Sequence, residues 1–263
     1  MFNPSLPSSS GYSSIYINGG QVDNKGIEAS LSLSQALGPV EWNSTLTYTI
    51  NRNKIKKLLK PTTLKDGLLV EQDMLDLDGV GNVKTRLFEG GSVGDLYVTA
   101  LRTDEHGYID VDYVNNTVSV DGNAGERGDG WIYAGNSQAK YTMGWRNSFS
   151  WKGLTFGFLI NARVGGVCVS MTQALMDSYG TSKATADARD AGGVMINGYL
   201  VPAAQKYYQT VGTGAGSMYV YSATNIRLAE LSLGYDVPVT KLVPWIKGMN
   251  VAFTGRNLFM FYC

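Results

Sequence analysis

Hydrophobic and polar residues alternate along long stretches of the 263-residue chain. That is the period that puts successive side chains on opposite faces of a β-strand. From Gly26 to Ser34 the rule holds at every position: Ile27, Ala29, Leu31 and Leu33 face one way, and Glu28, Ser30, Ser32 and Ser34 the other. Val40, Trp42, Leu46, Tyr48 and Ile50 alternate with Glu41, Asn43, Thr45, Thr47, Thr49 and Asn51. Tyr141, Met143, Trp145, Phe149 and Trp151 alternate with Thr142, Gly144, Arg146, Ser148 and Ser150. Leu154, Phe156, Phe158, Ile160, Ala162 and Val164 share a face, and residues 225–235 and 249–259 follow the rule less cleanly. These runs predict strands of about 9–12 residues, near the roughly 9–11 that a tilted strand needs to cross a bilayer. Strands of soluble proteins are usually shorter, about 5–6 residues.

The connections alternate in length. Residues 35–39 and 152–153 are short links, and 236–248, with Pro238 and Pro244, is intermediate. Two segments, 52–140 and 165–224, are very long. Structureless loops of that size are unusual in a compact soluble domain, whereas short turns on one side and long loops on the other are the habit of outer-membrane barrels. One strand face carries Trp42, Trp145, Phe149, Trp151 and Phe259, as a girdle at the water–lipid boundary would. The other carries Ser, Thr, Asn, Gly and Arg, which suits a wet lumen. A β-sandwich also alternates, burying its apolar face against a second sheet; the asymmetry of the connections favours the barrel.

Composition narrows the chemistry. Charged residues are 17% of the chain, below the roughly 25% of ordinary soluble domains. Lys plus Arg equals Asp plus Glu at 22 each, so no net field draws the chain to nucleic acid. Two cysteines, Cys168 and Cys263, exclude a disulfide scaffold, and the single histidine, His106, leaves little room for a His-rich metal centre or His-based catalysis. No apolar run is long enough for a membrane-spanning helix. The chain starts Met1-Phe2-Asn3-Pro4, without the basic and then apolar pattern of a secretion signal, and stops inside a strand-like run at Phe261-Tyr262-Cys263. Both ends read as cuts, and the chain is expected to be a fragment of a longer protein.

An ordered set of strings carries a family resemblance. Asn24-Lys25-Gly26-Ile27-Glu28 opens the first clear strand, followed by Trp42-Asn43-Ser44 and Asn51-Arg52-Asn53-Lys54-Ile55. Then come Glu89-Gly90-Gly91-Ser92-Val93-Gly94-Asp95-Leu96-Tyr97, Gly135-Asn136-Ser137, Asn147-Ser148-Phe149-Ser150-Trp151-Lys152-Gly153-Leu154 and Asn161-Ala162-Arg163-Val164-Gly165-Gly166. Last are Asn225-Ile226-Arg227-Leu228-Ala229-Glu230-Leu231-Ser232-Leu233-Gly234-Tyr235 and Gly255-Arg256-Asn257-Leu258-Phe259. In this order and spacing they resemble the C-terminal barrel region of SusC/RagA-type TonB-linked outer-membrane transporters of Bacteroidetes, over nearly the whole of residues 1–263. The resemblance implies an all-β fold: a partial transmembrane antiparallel β-barrel, a fragment of a ~22-stranded barrel, with two long extracellular loops. It implies import of a glycan or oligopeptide, a SusD-like surface lipoprotein over the mouth, and the TonB complex acting through a plug domain. The plug, the TonB-interaction segment, the signal peptide and the final strands do not appear in the string order, so this chain alone is not expected to transport. The rival readings are a siderophore or haem receptor of the TonB-linked class and a secreted β-sandwich adhesin or glycan-binding module.

Candidate chemistry is sparse. Asp76-Leu77-Asp78-Gly79-Val80-Gly81-Asn82, near Asp73 and the acidic stretch 104–112, faintly echoes a calcium loop, but Glu89 is out of register for the closing ligand, and a solvated turn is expected. Arg52, Lys54, Lys56, Lys57 and Lys60 read as a charged rim or an anion site. Gly212-Thr213-Gly214-Ala215-Gly216 lacks the strand, helix and Lys of a phosphate loop and reads as a flexible loop. Trp131, Tyr133, Tyr199, Tyr207, Tyr208, Tyr219 and Tyr221 are candidate contacts in the long segments: stacking on a solute, packing their own loops, or docking the cap. Arg146, Arg163, Arg227 and Arg256 sit on the polar strand face, where they are candidates to pair with the plug or with lumen carboxylates such as Glu28, Glu41 and Glu230. No catalytic constellation assembles, and no enzyme activity and no cofactor are expected.

Overall fold

A computed structural model describes residues 20–58, 62–63, 69–70, 74–77, 79–239, 245–246 and 248–263. Lys60, Asp73, Asp78, Pro244 and the opening segment 1–10 lie outside the described residues. The chain divides into two units, one built from residues 24–52, 138–166 and 222–263, the other from residues up to 23, 53–137 and 167–221.

The first unit is centred on a six-stranded sheet whose spatial order is the chain order. Its strands are β1 (Gln21–Leu37), β2 (Val40–Lys57), β3 (Tyr141–Trp151), β4 (Leu154–Val164), β5 (Asn225–Val237) and β6 (Met249–Tyr262). The pairings from β2 to β6 are antiparallel. The expected alternation is what shapes them: in register, Trp42 faces Phe149, Leu46 faces Trp145, and Phe156 faces both Phe149 and Leu233. All of these lie on one face. Thr45, Arg146, Leu159 and Glu230 follow one another across the opposite face. Two turns hold the hairpins. Lys152 and Gly153 both have positive φ (47° and 83°), the tight turn whose twist matches the flanking strands, and Gly38 (φ 62°) with Pro39 joins β1 to β2. The strand ends are therefore closer to the turns than residues 35–39 alone imply. Asn257 (φ 52°) lies in a register shift between β5 and β6, the extra-residue geometry that increases twist locally.

The apolar face is left open. Ile27 is 66% exposed, Leu31 71% and Phe253 75%. A β-sandwich would have buried these side chains, and an apolar surface of this extent calls for a lipid or protein cover. No helix among the described residues is long and apolar enough to cross a membrane. The described residues contain no closed barrel; six strands form an open antiparallel sheet.

The second unit shows that the two very long connections are folded bodies rather than open loops. A four-stranded antiparallel sheet runs Ile132–Asn136, Asp95–Val98, Val83–Phe88, Met74–Asp76. Three helices follow: α1 (Met171–Ser178), α2 (Lys183–Asp190) and α3 (Ala204–Gly214). Ser170 and Ser182 cap α1 and α2, each hydroxyl accepting a backbone N–H from the first turn (3.3 and 3.2 Å). One core gathers Leu101, Val118, Ala174, Ile196, Val201, Tyr207, Val211, Ala215 and Tyr219; another gathers Ile55, Leu58, Leu75 and Leu87. The glycine-rich stretch 212–216 is not a flexible loop. It ends α3 and enters a 3₁₀ turn at Gly216–Tyr219. A Cβ at Gly212 would lie 2.4 Å from the Ala174 carbonyl, and one at Gly216 2.4 Å from that of Asn82. These glycines are close-approach points between backbones.

Candidate functional site

The strand Val83–Phe88 sorts its residues by face. Leu87 and the neighbouring strand's Val98 are buried on the core side. Lys84, Arg86 and Phe88 project on the other side, together with Tyr97 and Tyr133, which are register partners on adjacent strands. The aromatic rings pack as a set: Tyr97 and Tyr133 have centroids 5.5 Å apart, and Phe88 meets Tyr97 edge-on at 6.4 Å. The Lys84 ammonium lies 3.9 Å from the Trp131 ring centre and the Arg86 guanidinium 5.0 Å from that of Tyr97.

Arg86, Asp95, Tyr97, Arg127, Trp131 and Tyr133 are among the residues that line a cleft of about 700 Å³. That volume is within the range of small-molecule sites, roughly 300–1,000 Å³. Asp95 anchors the wall: its Oδ1 accepts from the Asn136 amide (2.9 Å) and the Tyr133 hydroxyl (3.2 Å), and its Oδ2 accepts from the Ser92 N–H (2.7 Å). Arg86, only 3% exposed, is held between two carboxylates, donating to Asp76 at 2.8 Å and to Asp129 at 2.6 Å. Lys84 also pairs with Asp76. Burial pushes the Asp76 carboxyl up, but the hydrogen bonds from Arg86 and Lys84 outweigh it and hold the group below its ordinary range. The Arg86 hydrogen bond holds Asp129 low as well. Burial and the charge of Asp95 push the Tyr97 and Tyr133 phenols up, so both remain protonated. The floor is thus a neutralised charge network beneath aromatic rings, an arrangement with the chemistry to bind and orient a solute. Among the described residues no group of three or more His, Cys, Asp or Glu stands together to hold a metal ion.

The loop over the cleft is set by Gly125 (φ +86°), where a Cβ would stand 2.0 Å from the Trp131 carbonyl oxygen. The Gly130 N–H donates to Ala124 (2.9 Å), closing the loop on itself.

Of the seven aromatic candidates, the structure brings Trp131 and Tyr133 together at this cleft. Tyr207 and Tyr219 are buried members of the core that includes Ala174 of α1 and Val211 of α3, and so pack their own segment. Tyr208 packs against the same core and donates to the Ala184 carbonyl at 3.4 Å. Tyr199 is exposed and meets Tyr113 edge-on at 6.2 Å. Tyr221 is exposed and donates to Gln173 at 2.7 Å. Arg146 and Arg256 both reach Glu230, at 3.4 and 3.8 Å. Arg163 and Arg227 stand elsewhere on the sheet, opposite Asn225 and Asn161. Asp76 belongs to the Arg86 network rather than to a calcium loop, and Lys56 lies 3.9 Å from Asp23. His106 sits in an exposed turn beside Glu105, and both cysteines are exposed and free. Sequence reasoning missed Lys84, Arg86, Tyr97, Asp95 and Asp129 as a group. The only local signal was the short alternation Lys84-Thr85-Arg86-Leu87-Phe88.

No family model matches the chain. It is 26% identical over 291 aligned positions to TonB-dependent receptor P26 of Formosa agariphila, covering 99% of this chain and 27% of that protein. It is 27% identical to TonB-dependent receptor P3 of the same organism, covering 99% and 26%. In fold it matches the RagAB peptide transporter with a TM-score of 0.64 at 18% identity, over 97% of this chain and 27% of the other. The RagAB peptide importer in its open-open state matches with a TM-score of 0.62 at 19% identity, over 100% and 28%. The chain spans about a quarter of the length of the curated relatives it matches. These relatives are receptors and transporters rather than enzymes, and from end to end the chain is similar to a stretch of the TonB-dependent outer-membrane receptors, with the antiparallel fold of the RagAB transporters.

Proposed function

We propose that the chain supplies part of the wall and part of the solute-contacting body of a SusC-like, TonB-dependent importer in the outer membrane. The six-stranded sheet is a segment of a larger barrel, its apolar face on lipid and its Arg146–Glu230–Arg256 face on the lumen. The folded long connections carry the cleft at Trp131 and Tyr133, which contacts a glycan or oligopeptide on its way in. A SusD-like lipoprotein caps the mouth, and the TonB complex supplies the energy through a plug domain. The observation that carries this reading is the open aromatic face of a sheet with all-neighbour topology, in a chain similar along 99% of its length to TonB-dependent receptors.

The membrane part is tested by fluorescence. A W131F/W245F variant retains Trp42, Trp145 and Trp151, all on the apolar face. In vesicles of dibrominated phosphatidylcholine their emission should be strongly quenched relative to unbrominated lipid; unquenched emission, with the protein soluble free of detergent, would return the sheet to a secreted module. The import part is tested by growth on defined oligopeptides or glycans as sole nutrient. Trp131→Ala with Tyr133→Ala should slow growth on one class without lowering the amount of protein in the outer membrane.

A further inference from the structure

At the end of β2 away from the Gly38 turn, the apolar face runs into cations. Even-numbered residues of β2 share that face, from Val40 and Trp42 through Leu46, Tyr48 and Ile50, and Ser44 is covered by the Trp145 indole. The same alternation continues through Arg52, Lys54 and Lys56, all of them exposed. Ile55 points the other way. It is 1% exposed and packs with Leu58, Leu75 and Leu87. Its N–H donates to the Gly91 carbonyl (2.9 Å) and its carbonyl accepts from the Gly90 N–H (2.8 Å), which fixes this end of the strand.

Strand β1 adds to the row. The Ser32 and Thr45 hydroxyls stand 3.1 Å apart, and a Cβ on Gly26 would stand 3.4 Å from the Asn51 Cα. In this register Lys25, also exposed, lies beside Arg52 on the face of Ile27, Leu31 and Leu33. One carboxylate accompanies these cations: Asp23, 3.9 Å from Lys56. Among the described residues no carboxylate pairs with Lys25, Arg52 or Lys54.

Height decides what the row meets. With a rise of 3.3 Å per residue and a tilt of about 45°, residues 40–50 climb roughly 23 Å, close to the roughly 25 Å apolar band of an outer-membrane barrel. Arg52 and Lys54 then stand roughly 5 and 9 Å beyond its edge, within reach of the head-group layer.

We propose that Lys25, Arg52 and Lys54 bind the phosphate of an anionic membrane lipid whose acyl chains lie on the apolar face below. The guanidinium offers a fork for two phosphate oxygens, and the two ammonium groups add charge. Each cation held near an anionic lipid surface strengthens binding roughly fivefold. A zwitterionic lipid carries its own ammonium and gains little. The site rests on the sheet standing in a membrane, as proposed above, and is independent of import and of the aromatic cleft.

The detergent-purified chain is mixed with equal amounts of phosphatidylglycerol and phosphatidylcholine, and the lipids it retains are read by native mass spectrometry. Phosphatidylglycerol should be retained at least tenfold in preference. Lys25→Gln, Arg52→Gln and Lys54→Gln combined should lower that preference at least tenfold. Arg102→Gln, Lys183→Gln and Lys206→Gln combined remove the same charge from exposed positions outside the six-stranded sheet, and should leave it intact. If the first variant fails to fold, as judged by circular dichroism, Arg52→Gln with Lys54→Gln replaces it and should lower the preference at least fivefold. Equal retention of the two lipids, or equal loss in both sets of variants, overturns the proposal. So does displacement of the lipid by millimolar inorganic phosphate, which would mark a site for a free anion. Quenching in dibrominated phosphatidylcholine separates the two readings. A quenched protein without lipid preference overturns this site alone, and an unquenched one overturns the membrane reading with it.

Discussion

The indole Nε1 of Trp42 donates to Oδ1 of Asn147 at 3.0 Å, across the β2–β3 pair. Asn147 is directly opposite Ser44 on one side and Phe158 on the other, on the apolar face of the sheet, and is 2% exposed. Trp145 makes the matching contact, donating to Ser44 Oγ at 3.0 Å. The two indoles thus cover a polar pair. They also pack on neighbouring rings, Trp42 stacked on Phe149 at 6.3 Å and Trp145 edge-on to Phe158 at 5.6 Å. Amphipathic rings suit this double duty, satisfying a polar group while presenting carbon outward.

Asn147→Leu removes the acceptor and strands the Trp42 N–H, a loss of about 1–3 kcal/mol. Trp42→Phe with Asn147→Leu removes donor and acceptor together. Urea unfolding in detergent, run on both singles and the double, should give a coupling of about 0.5–3 kcal/mol between the two positions. Strict additivity would mean that the 3.0 Å contact carries no stability.

Arg86 holds two carboxylates that would otherwise repel each other beneath the cleft. Arg86→Met removes the buried charge. Breaking a buried pair costs about 3–5 kcal/mol. Asp76 and Asp129 are about a third exposed and recover some hydration, so a smaller loss, about 2–3 kcal/mol, is expected. Thermal unfolding followed by near-ultraviolet circular dichroism of the tyrosine and tryptophan bands reports it.

The same network sets an acid limit. Asp76 and Asp129 are held below their ordinary range in the folded protein. A depressed folded pKa contributes stability that is complete above the unfolded value, about 3.9. That stability is lost as pH falls through the lower folded values. The midpoint of unfolding should therefore drop below about pH 4. In Arg86→Met the carboxyls return toward ordinary values, so that variant, less stable at neutral pH, should lose less on acidification.

Gly125→Ala places a methyl carbon 2.0 Å from the Trp131 carbonyl at a φ of +86°. The backbone has to move, at a cost of order 1–3 kcal/mol. Trp131 moves with it, away from Lys84. In a background with the other four tryptophans replaced by Phe, the emission of Trp131 should shift to the red. An unshifted spectrum would mean that the loop tolerates a side chain there.

Glu230 is shared by Arg146 and Arg256 along one row of the polar face. Both arginines are largely exposed, so Glu230→Gln should cost only about 0.5–1 kcal/mol at low salt. The difference should shrink at 1 M salt, where exposed charges are screened. Urea midpoints at the two salt concentrations measure it.

Several features were legible because they depend on neighbours in the chain. Alternation from Gly26 to Ser34 and from Tyr141 to Val164 specifies strands and their faces, and Lys152-Gly153 specifies the tight turn between two of them. Arg146, Arg256 and Glu230 were recognisable as polar-face residues for the same reason. Helices α1 and α2 are eight residues each, too short for a 3.6-residue period to stand out against glycine-rich surroundings. Asn147 was hidden because an Asn at an apolar-face position carries no local sign of the indole that will cover it.

The amino-acid order alone determined the β class, the long strands and which side of each is apolar, since a period of two is a property of consecutive residues. Tertiary structure decided that the long connections fold. It also brought Asp76 and Asp129 onto Arg86, the latter across 43 residues of chain, and left Asp177 Oδ1 buried without a hydrogen-bond partner among the described residues. These depend on distant segments meeting in a particular register. Once buried, a charge or a polar atom takes its meaning from whatever the rest of the chain places within about 3 Å of it.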